Sequence, residues 1–102
     1  MKKIRIMMDY QCYPMWVYNE QGELVCNDLI SELKNVTEIE ELLNDIQTSY
    51  DNLFIDNEVQ FEYKGFEDAE AKGDFLSKVS SVIQLIKLKT GDKYIVENKV
   101  TV

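Results

Sequence analysis

Two thiols, nineteen carboxylates and no histidine set the limits of the chemistry open to this chain of 102 residues. Without histidine there is no ordinary general base near neutral pH and no Cys/His zinc site. Cys12 and Cys26 do not form a C-x-x-C pair, and a thiolate-only site needs more sulfur. As a nucleophile Cys12 would have Asp9 three residues away, and a nearby carboxylate raises a thiol's pKa instead of lowering it. The four glycines, Gly22, Gly65, Gly73 and Gly91, are too scattered to cradle a phosphate. Paired carboxylates could serve glycoside or metal chemistry. Yet "DNLFIDNE", residues 51–58, lacks the glycine and the ligand order of a calcium loop. No catalytic residue, metal or cofactor is expected, and the chain reads as a binding protein and not an enzyme.

The residues suited to binding gather in two places. "DYQCYPMWVYNE", residues 9–20, sets Tyr10, Tyr13, Trp16 and Tyr18 beside the only proline. Tyrosine and tryptophan dominate the energetic centres of protein interfaces. The second place is a block of charge. Between Asn35 and Glu70 eleven acids face Lys64 alone, a balance of −10, whereas residues 1–34 carry −1 and residues 71–102 carry +3. The whole chain carries −8, with a pI near 4.4. That balance argues against nucleic acid and anionic membrane as partners and suits a basic protein. The candidate contacts are Glu38, Glu41 and Asp45 on one helix face, flanked by Glu40 and Asp51, together with Asp9, Tyr10 and Trp16.

These residues need elements to hold them. "KIRIMMDY" alternates, with Ile4, Ile6 and Met8 on one side and Lys3, Arg5, Met7 and Asp9 on the other, as a half-buried strand does. "PMWVYNEQGELVC" reads as two short strands joined by a turn at Asn19–Gly22. If Met15 and Val17 enter the core, Trp16 and Tyr18 point to the open face; in the opposite register the aromatics are core. "NDLISELKN" is a connector with some helical character. Thr37-Glu38-Ile39-Glu40 has the form of a capping box. Behind it Ile39, Leu42, Leu43, Ile46, Tyr50 and Leu53 make an apolar stripe, and the helix is expected to end near residues 54–56. "EVQFEYKGF" alternates again, which predicts a strand with Val59, Phe61 and Tyr63 inward. A second helix is expected over about 67–89, carrying Leu76, Val79, Val82, Ile83 and Ile86, with its first turn separated or kinked at Gly73. "KYIVENKVTV" closes the chain as a strand, with Tyr94, Val96, Val100 and Val102 on one face.

The order β-β-β-α-β-α-β predicts one α+β domain over residues 1–102. It should be a two-layer sandwich, with two helices on one face of a largely antiparallel sheet. The other face should be wet and carry Arg5, Gln60, Glu62, Glu97 and Lys99. No stretch is long and apolar enough to span a membrane. The N-terminus has the lysines of a signal peptide, but Arg5 and Asp9 interrupt its apolar run. A cytoplasmic protein is expected.

"MMDYQCYPMWVYNEQGELVCNDL", the acidic helix, and "SYDNLFIDNEVQFEYKGF" together resemble small acidic immunity proteins, which bacteria encode beside contact-dependent or polymorphic toxins. The likeness covers about residues 6–66. It implies a cytoplasmic inhibitor that binds one cognate toxin domain, often a basic nuclease, and blocks its active site or substrate entry. Two other binding roles fit the acidic composition. One is a nucleic-acid mimic occupying a DNA-binding protein, and the other is a homodimeric structural subunit using the aromatic sheet face.

Overall fold

A computed structural model describes all 102 residues. The strands are β1 (Lys2–Ile6), β2 (Met15–Tyr18), β3 (Leu24–Cys26), β4 (Phe54–Asn57), β5 (Gln60–Tyr63) and β6 (Tyr94–Asn98), and the helices are α1 (Thr37–Asp51) and α2 (Ala69–Thr90). Four strands form the main sheet in the order β3-β2-β1-β6. β1 and β2 pair antiparallel, as do β2 and β3, whereas β1 and β6 run parallel. A parallel neighbour cannot be reached by a tight turn, so most of the chain lies between β1 and β6.

Alternation decides the layers. Ile4 and Ile6 of β1 and Met15 and Val17 of β2 point to one side and are buried. Ile39, Leu43 and Ile46 of α1 and Phe75, Val79, Val82, Ile83 and Ile86 of α2 meet them there in one core. The two helices thus cover one face of a largely antiparallel sheet, and the α+β sandwich is the architecture observed. The connector holds a short 3₁₀ turn at Ser31–Leu33, which drops Leu33 into the core. Gly22 takes φ 81° in the turn between β2 and β3, a value that glycine reaches without strain.

Several local expectations are corrected. The element order is β-β-β-α-β-β-α-β, because the chain after α1 makes two strands where one was expected. Helix α1 stops at Asp51, and Leu53 turns into the core just past its end. The chain is then free to extend through Phe54. β4 and β5 pair only with each other, in a hairpin outside the main sheet. Val59, Phe61 and Tyr63 are therefore exposed, Val59 at 91%, and Gln60 and Glu62 do not belong to the open face of the main sheet. No capping box forms: Thr37 is already helical, and no side chain caps the preceding Val36. The capped helix is α2, where Asp68 accepts a 2.8 Å bond from the Ala71 amide. Gly73 sits inside an unbroken α2, and Leu76 faces solvent while Phe75 takes the buried position.

Candidate protein-interaction surface

The loop between β1 and β2 is tied at both ends and in the middle. The Met7 amide donates to the Pro14 carbonyl, and the Cys12 amide to that of Asp9. Asp9 folds back so that its Oδ1 accepts from the Tyr10 amide at 2.9 Å, and Gln11 takes a left-handed φ of 58°. That reversal sends the Gln11 amide to Asp51 Oδ1, also at 2.9 Å. Asp51 is the last residue of α1, where the helix dipole disfavours an anion, and the Gln11 N–H offsets this. The Tyr10 hydroxyl donates to Asp56 Oδ2 of β4 at 3.0 Å. Its pKa is raised, first by burial and then by that carboxylate, which favours the protonated, donating form. Cys12, within the loop, has its thiol pushed up by burial, with Asp9 and Asp51 adding to it, so it is a poor nucleophile.

Around Tyr10 the aromatic rings form a continuous cluster. Phe54 lies at its centre, 4.8 Å from Tyr10, 5.4 Å from Tyr50, 5.6 Å from Phe61 and 5.2 Å from Tyr63. Tyr10 and Phe61 close the ring edge to face at 5.1 Å. The register explains this grouping. Phe54 pairs with Tyr63 and Asp56 with Phe61, so all four side chains share one face of the hairpin. That face is only partly covered, since Phe61 stays 61% exposed and Tyr63 50%.

The acids of α1 form a separate surface. Glu38, Glu40, Glu41 and Asp45 are all exposed. The only ion pairs in the molecule join Lys3 and Arg5 to Glu97, so none of these four carboxylates is neutralised by a neighbour. Glu40 stands at the edge nearest Tyr13. Burial, with Glu40 and Asp28 adding to it, pushes the Tyr13 hydroxyl up to about 12.

Trp16 lies elsewhere. Met15 and Val17 enter the core, which places Trp16 and Tyr18 on the sheet face opposite the helices. Trp16 is half-buried there, across from Arg5 in the register, and its indole N–H donates to the Met7 carbonyl at 3.0 Å. The Arg5 guanidinium sits 4.5 Å from the centre of the Tyr18 ring and 3.0 Å from Glu97 Oε1. Glu97 is held below the usual carboxylate range, chiefly by that hydrogen bond.

Of the eight residues singled out from the sequence, the structure joins Asp9, Tyr10 and Asp51 at the loop, and sets Glu38, Glu40, Glu41 and Asp45 along α1. Trp16 is on the far side of the sheet from the acids of α1. The sequence reading missed the cluster around Tyr10: Phe54, Phe61 and Asp56, which meet it directly, and Tyr63, which stacks on Phe54. One signal was present. Asn57 Oδ1 accepts the Val59 amide, an Asx turn that marks a hairpin between β4 and β5.

The fold is a small α+β sandwich with unpaired carboxylates along α1 and an aromatic loop beside them. The model of the Serratia CdiI immunity protein-like family matches residues 2–99, and the chain belongs to that family of contact-dependent inhibition immunity proteins. No curated protein sequence matches it. None of its helices is long and apolar enough to cross a membrane.

Proposed function

We propose that this chain acts in the cytoplasm as the inhibitor of one toxin domain, by binding it and without turnover. The toxin is basic, with a nuclease as the favoured class. The observation that carries this reading, beside family membership, is the run of exposed carboxylates on α1 with no cation within ion-pairing distance. Such a surface raises the rate of encounter with a positive partner, and the effect fades with salt. The surface is made of Glu38, Glu41 and Asp45, with Glu40 beside them. Asp9, Tyr10 and Asp51 continue it at the C-terminal end of α1. Trp16 faces the other way, so a toxin seated on the acids would reach it only by wrapping around the sheet edge.

The test is co-expression with the toxin domain encoded beside this chain, followed by association kinetics on the purified pair. The expected outcome is rescued growth and an association rate that falls steeply with salt. Replacing Glu41 and Asp45 with lysine should slow association and flatten the salt dependence. Failure of the wild-type chain to bind or rescue would overturn the reading.

A further inference from the structure

The β4–β5 hairpin is the part of the molecule that folding alone explains least. It presents two rings and a valine to water, outside the main sheet, in a chain with a sufficient core elsewhere. Its charge is one-sided. From Tyr50 to Tyr63 there are four acids, Asp51, Asp56, Glu58 and Glu62, and no base. On the ring-bearing face Asp56 lies opposite Phe61 in the register. Asp56 Oδ2 accepts from Tyr10, and the exposed Oδ1 has no partner within the chain.

A partly exposed ring face edged by a carboxylate with an open oxygen has a specific complement. A guanidinium is planar, weakly hydrated and always charged, so it can lie on a ring and donate to a carboxylate beside it. An ammonium is a more strongly hydrated point charge and suits the ring face less well. The molecule already contains this pairing once, where Arg5 lies on Tyr18 and donates to Glu97. The hairpin carries the ring and the acid without the arginine. A second copy of this chain is a poor occupant, because it would bring the same negative charge.

We propose that the face formed by Phe61, Tyr63, Tyr10 and Asp56 is the anchor point of the interface, and that its occupant is an arginine-bearing segment of the toxin. This rests on the immunity reading above and adds which side chains fix the complex and which residue type they take. The carboxylates of α1 then govern encounter, and the hairpin governs residence.

The experiment measures binding of the co-encoded toxin domain to the wild-type chain and to Phe61→Leu and Asp56→Asn. Phe61→Leu keeps an apolar side chain but removes the ring face, and Asp56→Asn keeps an oxygen for Tyr10 while removing the charge. A thermal melt of each variant first confirms that the fold is retained. Each should dissociate faster, with Phe61→Leu losing about thirtyfold in affinity, or about 2 kcal/mol, and association nearly unchanged. Arginine amide should displace the toxin from the wild-type chain at concentrations where lysine amide does not. Wild-type affinity in both variants, or equal competition by the two amides, would overturn the anchor and leave the immunity reading standing. A toxin domain that does not bind the wild-type chain at all would remove both. If the pure protein sediments as a dimer that Phe61→Leu dissociates, the face is covered by a second copy and the inference is overturned.

Discussion

β1 and the β4–β5 hairpin carry the same kind of pattern and meet opposite fates. In "KKIRI" the alternate residues Ile4 and Ile6 are fully buried under two helices. In "VQFEY" the alternate residues Val59, Phe61 and Tyr63 are all exposed. The difference is what lies on each side. β1 is the central pairing partner of β2 and β6, and its inner residues join a core shared by both helices. The hairpin has no third strand and no helix over its apolar face, only Tyr10 and the end of α1. A period of two therefore identifies a strand with one apolar face, but not whether the protein covers that face itself or leaves it for a partner.

Cutting the core under β1 should have the largest effect. Ile46→Ala removes a fully buried side chain of α1 and should cost about 2–5 kcal/mol of stability, read as a lower midpoint in urea. An unchanged midpoint would mean that the core described here does not hold the fold.

Trp16→Ala tests an intermediate environment. The indole is half-buried on the open sheet face and makes one hydrogen bond to backbone. The loss should be about 1–3 kcal/mol, with the folded circular dichroism spectrum retained, because no core cavity is made. Complete unfolding of this variant would place Trp16 in the core and contradict the register of β2.

The smallest global effect belongs to Tyr10→Phe. It removes the hydroxyl that bonds Asp56 but keeps the ring against Phe54 and Phe61. Amide hydrogen exchange should speed up in β4 and β5 and stay unchanged in β1, β2 and α2, because the hairpin opens as a separate local unit. Faster exchange across the whole chain would show that the hairpin and the core unfold together.

What the sequence made legible follows the same line. The apolar stripe of α1, the buried residues of α2 from Val79 to Ile86 and the alternation of β1 were all readable, because each face is covered and periodicity reports burial. The register of β2 was not, since "MWVY" is apolar at every position and only the pairing with β1 chooses Met15 and Val17 for the core. The capping box failed for a similar reason. Thr37 has the right type, but the chain enters α1 one residue earlier, at Val36. Asp9, Tyr10 and Asp51 were selected as contacts from type and charge. Their connection was invisible, because it depends on the left-handed turn at Gln11 and on bonds that span forty residues or more.

The parallel pairing of β1 with β6 bears on how the chain is made. Arg5 and Glu97 face each other across that pair although they are 92 residues apart. During synthesis β1 and β2 leave the ribosome early and can form their hairpin, but the other edge of β1 stays open until β6 emerges. Until then a nascent chain exposes an unpaired strand edge, the kind that recruits other strands. Closure of the main sheet has to wait for the last of its strands to be synthesised. A messenger truncated before the codon for Tyr94 would yield a chain with β1 left as an edge, a substrate for aggregation or proteolysis.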